Sequence, residues 1–193
     1  MEIRILQKEE LKLAAGLSRY VFDTCLRHRM EYPQTIAFVE AYITEANLEK
    51  LFGECELILW GGFEGEQLVA VSGLQRDGLI TMLYVLPTHQ NIGYGNHLLK
   101  IMREYAKTAC GFERVTLNAN PAWTSFYFKK RGFSNLNANQ DLKAPFAPMY
   151  ASTTAMEAYE KRPVPKAVIA FAVIGCILFA TTVGSWFMLS YLF

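Results

Sequence analysis

The sequence predicts an α+β domain with a mixed central sheet, followed by one apolar C-terminal helix. Three segments carry this reading. Ile80 to Lys100 runs from an apolar, β-rich stretch through a glycine turn into a helical repeat without a gap. Val115 to Phe133 again gives a β-branched run, a polar break, a helix and a glycine stop. Ala167 to Phe193 contains no charged residue.

Taken in order, Glu2 to Leu6 alternates as a short strand, and Glu9 to about Met30 places Leu13, Leu17, Val21 and Leu26 at helical spacing. Pro33 separates that helix from a second one running to about Leu51. Glu54 to Phe63 and Gln67 to Gln75 form a hairpin around Glu64-Gly65-Glu66, and Asp77-Gly78 turns the chain into the strand from Ile80 to Leu86. Pro87 ends that strand; Leu98, Leu99, Met102, Tyr105 and Ala106 then mark a helix opened by Gly93 and Gly95. In the 115–133 segment, Asn120 is the expected N-cap with Pro121 at the first helical position, and Gly132 the stop. Pro145 to Tyr150 is a last apolar strand. Pro163 and Pro165 mark a linker that follows it.

The glycine turn has a chemical meaning. The first turn of a helix carries amide N–H groups without intrahelical partners and a partial positive charge, so the backbone from Asn91 to Asn96 can hold a diphosphate. Glycine at 93 and 95 removes Cβ atoms that would keep phosphate oxygens away. A P-loop would need Gly-Lys followed by Ser or Thr, but Asn96 and His97 follow Gly95; a dinucleotide fingerprint would want a small residue where Leu98 stands. Gln90-x-x-Gly93-x-Gly95, with Tyr84-Val85-x-Pro87 ahead of it, closely resembles the acetyl-CoA motif of the GNAT family of N-acetyltransferases. Residues 115–133 resemble a second GNAT element, Asn-Ala-Ser-x-x-Ala-x-x-Phe-Tyr-x-x-x-Gly-Phe, with Asn120 in place of Ser. The resemblance covers roughly residues 1–152, most strongly 68–133, and implies a sheet of about six to seven strands flanked by about four helices.

It also implies a chemistry. Acetyl transfer from a thioester to an amine needs a held donor, a neutral nucleophile, stabilisation of the developing oxyanion and a proton for the leaving thiolate. By resemblance, acetyl-CoA is the cosubstrate and lies on the backbone of Gln90, Asn91, Ile92, Gly93, Tyr94, Gly95 and Asn96. Its thioester arm would meet backbone atoms around Leu83, Tyr84 and Val85, and Asn118 is similar to the family's CoA-facing asparagine. The family's general acid is the tyrosine of the Phe-Tyr element, here Tyr127, whose ordinary pKa of about 10 keeps it protonated at neutral pH; packing with Phe126 and Phe128 is the competing role. Tyr94 is bulkier than the residue usual between the glycines, and its side chain is expected to turn away from the phosphates. No base stands out among Glu31, Glu54, Glu56 and Glu64. Acceptor specificity falls to residues 19–45, where Arg27, His28, Arg29, Glu31 and Tyr32 are available to line a pocket.

Composition narrows the alternatives. Lys and Arg number 19 against 18 Asp and Glu, which leaves no large basic field for nucleic acid. The 4 cysteines form no C-x-x-C pair and fit a reducing compartment, each as a small buried hydrophobe. The 3 histidines show no metal-site spacing, so no metal is expected. Met-Glu-Ile-Arg-Ile lacks the layout of a signal peptide. As a helix, the uncharged 27 residues from 167 to 193 span about 40 Å, against a hydrocarbon core of about 30 Å, so they are expected to cross a membrane. Lys161, Arg162 and Lys166 precede that run and nothing basic follows, which keeps the domain cytoplasmic. The expected organisation is therefore a catalytic domain over 1–152, a linker over 153–166 and a transmembrane helix over 167–193. The expected function is transfer of acetyl from acetyl-CoA to a primary amine at the cytoplasmic face. The competing class is a degenerate, membrane-tethered domain that binds CoA or a protein partner without turnover.

Overall fold

The sheet grows from local pairings. In the computed structural model, which describes residues 1–120, 124–137 and 145–154, strand β2 (Leu57–Glu64) turns at Gly65, whose φ is +58°, into the antiparallel β3 (Gln67–Gln75). The N-terminal strand β1 (Glu2–Ile5) adds to the outer edge of β2, with Ile3 opposite Gly62. A second turn at Gly78, φ +86°, leads to β4 (Leu79–Val85); Asp77 fixes it by accepting a 3.0 Å hydrogen bond from the Leu79 amide. Beyond β4 come β5 (Arg114–Ala119), β6 (Ser134–Asn135) and β7 (Ala147–Ser152), giving the order β1-β2-β3-β4-β5-β7-β6. Only the β4–β5 pair is parallel. Seven strands meet the upper end of the sequence expectation.

The helices differ more from expectation. Helix α1 (Leu11–Val21) ends nine residues before Met30, and the chain continues through a π-helical turn, Phe22–Leu26, and a tight 3-10 turn, Arg27–Arg29. The second predicted helix is two: α2 (Pro33–Tyr42), with Pro33 in its first turn, and α3 (Glu45–Gly53). Thr44 divides them because its hydroxyl caps α3, accepting from the Asn47 amide at 3.3 Å. The long helix α4 (Tyr94–Thr108) and the short α5 (Thr124–Lys129) complete five α-helices. The amides of Thr124 and Ser125 both bond the Asn120 carbonyl at 3.1 Å, so the helical turn does begin near Asn120; the predicted Pro121 position lies outside the described residues.

Strand alternation gives the sheet two apolar faces. On one, α4 buries Leu98, Leu99, Met102 and Ala106 against Trp60, Ala70 and Leu117. On the other, α1, the π-helical turn and α3 bury Leu11, Leu17, Phe22 and Leu48 against Leu59, Val71 and Met82. Each large side chain so buried contributes about 1.5–3 kcal/mol before the entropy of ordering it is subtracted.

The geometry that matters most is in β4. Gly73 pairs with Met82 but Leu74 pairs with Ile80, so Thr81 is an extra residue without a partner across the ladder. A Cβ at Gly73 would sit 3.3 Å from the Met82 Cβ and 3.1 Å from Leu59; glycine lets the bulged strand come close. A bulge bends its strand, and β4 stays registered with β5 only at Leu79–Thr116 and Ile80–Leu117. Past that point β4 follows β3 as far as Val85, while β5 follows β7 as far as Ala119.

Arg103 secures the other side of this opening. It is 2% exposed on α4, donates at 3.1 Å to the Arg131 carbonyl beyond α5, and also bonds the Ser152 carbonyl at the end of β7. Its guanidinium lies 5.7 Å from the centre of the Phe133 ring, and burial lowers its pKa. Thr153 continues the attachment, donating from its hydroxyl to Phe112 at 2.8 Å and from its amide to Glu113 at 3.0 Å.

The compact unit containing the sheet runs from Met1 to Met156. Among the described residues no helix is long and apolar enough to cross a membrane. The predicted transmembrane helix over 167–193, and the linker beyond Thr154, lie outside the described residues. Cys55 and Cys110 are exposed rather than buried, because they fall in the turns that end α3 and α4.

Candidate active site

The β4–β5 opening presents backbone. The Leu86 amide bonds Val69 on β3, so by the two-residue alternation of a strand Tyr84 addresses β3 as well, while Leu83 and Val85 turn their N–H and C=O toward the opening. The side chain of Gln90 fixes the far end, donating to the Val85 carbonyl at 2.9 Å. On the opposite wall, the Thr116 amide bonds Gly78 in the first shared rung, the last is Ile80–Leu117, and the same alternation turns the Asn118 backbone toward β4 where the opening begins. Of the predicted contact residues on β4, Leu83 and Val85 therefore fit a thioester arm through their backbones, and Tyr84 does not.

From β4 the chain passes through a 3-10 turn, Pro87–His89, to Asn91 at φ +64° and Gly93 at φ +101°. Gly93 is the residue before α4, and the first bond of the helix is from the His97 amide to its carbonyl at 3.1 Å. That leaves the amides of Tyr94, Gly95 and Asn96 without intrahelical acceptors. Nothing lies within 4 Å of where a Cβ on Gly93 would be, so this position is open to a ligand. Ile92 is 61% exposed beside it.

Tyr94 turns away from the turn. Its hydroxyl bonds Glu64 at the β2–β3 hairpin, and its ring stacks on His89 with centroids 6.1 Å apart. The Tyr94 hydroxyl, aided by His89 at 3.3 Å, holds the Glu64 carboxyl below the usual carboxylate range; the same bond raises the Tyr94 phenol. Glu64 is thereby engaged outside the opening and is not placed as a base.

Gly95 has a structural reason of its own. A Cβ there would lie 2.5 Å from the Tyr127 hydroxyl, so the missing side chain makes room for a phenol. Arg131 locks that phenol in place. Its guanidinium lies 3.3 Å from the centre of the Tyr127 ring, its Nη1 donates to the Tyr127 carbonyl at 2.7 Å, and its Nε donates to the Asn96 side chain. Burial raises the Tyr127 pKa, and the Arg131 charge opposes part of that rise.

The acid role expected of Tyr127 does not fit this placement. Four residues separate Tyr127 from Gly132, where the family element has three, so counting back from Gly132 puts Phe128 in the tyrosine position. The structure agrees with that count: Phe128 lines the central cavity and Tyr127 does not.

This cavity, about 520 Å³, opens from the β4–β5 gap toward α2. At the gap it is lined by Leu83, Leu117, Asn118, Asn120, Thr124 and Phe128. At the other end the lining is Phe22, Leu26, Met30, Phe38, Tyr42 and Tyr84, with Phe146 beside Phe38 at a centroid distance of 6.4 Å. Burial pushes the Tyr84 and Tyr42 phenols above their ordinary pKa, so both are neutral at physiological pH. None of Arg27, His28, Arg29, Glu31 or Tyr32 lines it. The reason is the π-helical turn: it brings Phe22, Leu26 and Met30, four apart, onto one face and leaves Arg27 outside, bonded to Asp23 at 2.9 Å and to Glu40. That apolar spacing was the sequence signal for the pocket, hidden among conspicuous charges.

A strand pair that parts at a bulge, a glycine turn at its tip and an apolar cavity behind it are the features to compare with known proteins. The family model for the acetyltransferase (GNAT) domain matches residues 26–152. The chain belongs to the GNAT family. No curated protein matches it. Among solved structures, a GCN5-related N-acetyltransferase from Rhodopseudomonas palustris is 20% identical, with a TM-score of 0.64 over 78% of this chain and 94% of that one. The PaiA N-acetyltransferase of Thermoplasma acidophilum, in complex with coenzyme A, is 18% identical, with a TM-score of 0.57 over 79% and 99%. Spermidine N-acetyltransferase SpeG from Vibrio cholerae is 16% identical, with a TM-score of 0.54 over 81% and 97%. At these identities the structures show a shared fold. As a GNAT acetyltransferase the enzyme uses acetyl-CoA, and the open Gly93 position, the free helix amides and the unpaired edge at Leu83 and Val85 fit that cosubstrate.

The Gly95–Tyr127 contact makes a quantitative prediction. Gly95→Ala is expected to lower stability by about 1 kcal/mol by displacing the phenol. In a Tyr127→Phe background, which removes the oxygen, most of that loss is expected to vanish. Thermal denaturation of the four proteins measures the coupling, and additive losses would contradict the contact.

Proposed function

We propose that this enzyme transfers the acetyl group of acetyl-CoA to a primary amine, and does so at the cytoplasmic face of a membrane to which residues 167–193 tether it. The observation that supports the transfer reading is the continuity between the β4–β5 gap and the half-open cavity behind it, which would let a donor and an acceptor meet in one space. Donor residues would be the backbones of Leu83 and Val85, the turn from Gln90 to Asn96, and Asn118. Tyr127 and Arg131 would shape the phosphate end of that site. The amine nitrogen would attack the thioester carbonyl as the free base, with unpaired strand amides stabilising the oxygen that becomes negative. A thiol leaving group with a pKa near about 8.5 departs as thiolate without a strong acid, which makes the absence of a phenol at position 128 tolerable. The tether reading rests on the uncharged run itself and on Lys161, Arg162 and Lys166 before it.

Titration calorimetry of the full chain in mild detergent is expected to show acetyl-CoA binding in the micromolar range, weakened at least about tenfold by Gly93→Val, since φ of +101° and the open space there suit glycine. A folded wild-type protein that binds no acetyl-CoA would instead favour the partner-binding module.

The tether is checked separately. The wild type is expected to stay with membranes through alkaline carbonate extraction, and Ile174→Lys with Leu178→Lys to be released, because each charge at a helix centre costs about 3 kcal/mol of insertion. Release of the wild type would remove the membrane from the proposal.

A further inference from the structure

The acceptor end of the cavity has a chemistry that selects its substrate. We propose that the acceptor is a compact monoamine with an aromatic or branched aliphatic body, and that polyamines are excluded. The inference rests on the acetyl-transfer reading above and concerns the far half of the same enclosure.

The walls at that end are Phe22, Leu26, Met30, Phe38, Tyr42 and Tyr84. Among the described lining residues there is no Asp, Glu, Lys, Arg or His. A polyamine carries further ammonium groups beyond the one that reacts, and each needs a carboxylate or water once enclosed. The segment that forms these walls, residues 22–42, has three carboxylates. Two are already used: Asp23 is held by Arg19 and by Arg27, each at 2.9 Å, and Glu40 by Arg19 at 3.0 Å and also by Arg27. The third, Glu31, does not line the cavity. The four-residue ion network thus ties the π-helical turn to α2 and engages two of that segment's carboxylates, while Asp77, whose charge adds to burial in raising the Tyr42 phenol, is not among the described lining residues.

The polar side chains at this end are neutral: Gln75, Thr81 and the phenols of Tyr42 and Tyr84. Gln75 donates to the Tyr42 hydroxyl at 3.2 Å, and Tyr84 is buried and neutral. Neither phenol is a base at physiological pH. An apolar enclosure makes a base less necessary, because desolvation disfavours the ammonium form and lowers the pKa of the bound amine. The step then balances without a protein base: the ammonium loses a proton to solvent, the neutral nitrogen bonds the acetyl carbon, and the carbon–sulfur bond breaks. The thiolate takes the second nitrogen proton as the amide forms, so one proton is released per turnover.

Phe38 is the residue to change, since it is 60% exposed and its replacement leaves the core intact. The test measures CoA thiol release by the full chain in mild detergent, with acetyl-CoA and either 2-phenylethylamine, spermidine or a short peptide with an apolar N-terminus, and titrates acetyl-CoA in parallel. The expected result is a kcat/KM for 2-phenylethylamine at least about tenfold above that for the other two, with Phe38→Glu raising the KM for 2-phenylethylamine and narrowing its lead over spermidine. Preference for spermidine or the peptide, or no turnover of any amine by protein that binds acetyl-CoA, overturns this proposal and leaves the donor site standing. No acetyl-CoA binding overturns it together with the acetyl-transfer reading.

Discussion

The structure turns on one extra residue. With Thr81 inserted in β4 opposite the Gly73–Leu74 step, the strand bends and shares two rungs with β5 instead of a full ladder. Unpaired strand edges are normally a cost, since buried N–H and C=O groups need partners. Here the loss is confined to a wedge between β4, which past the bulge pairs with β3 from Met82 to Val85, and β5, which pairs with β7 along its whole length. The wedge therefore offers hydrogen-bonding groups fixed in position by the sheet, which is what electrostatic preorganisation requires. The glycine turn, the Gln90 brace and the apolar cavity are all placed by where β4 goes after the bulge.

Two sets of contacts tie together the elements around the wedge. Arg103 binds the carbonyls that follow α5 and end β7, linking α4 to the β5–β7 side. Arg131 joins the first turn of α4 to α5 by holding Asn96 and covering the Tyr127 ring. On the opposite face, the Arg19–Asp23–Arg27–Glu40 network does the same for the walls of the cavity. Charged side chains are used here as brackets around a site whose interior is apolar.

Much of this was legible in the sequence because it is local. Alternation and turn residues placed β1 to β5 and the closing strand to within a few residues, and the glycine turn announced both the start of α4 and its chemistry. What failed was what depends on partners distant in the chain. The helix expected to Met30 ends at Val21 because a π-helical turn serves the cavity, which a period of 3.6 does not reveal. Thr44 reads as an interior residue until its cap is seen. The glycine at 95 also makes room for a tyrosine 32 positions later in the chain, which spacing within the turn does not reveal. Tyr127 itself was misread by one position, a spacing the sequence did contain: counting from Gly132 points to Phe128. The acceptor lining was missed because charged residues drew attention away from apolar ones spaced four apart.

The β4–β5 wedge is the proposed donor site. Hydrogen–deuterium exchange of the full chain, resolved at the amides of Leu83 and Val85 with and without acetyl-CoA, tests it most directly. The wedge predicts that these two amides slow markedly when acetyl-CoA binds while Tyr84, bonded to β3, is unchanged. Saturating acetyl-CoA that leaves Leu83 and Val85 exchanging at their unliganded rates would contradict it.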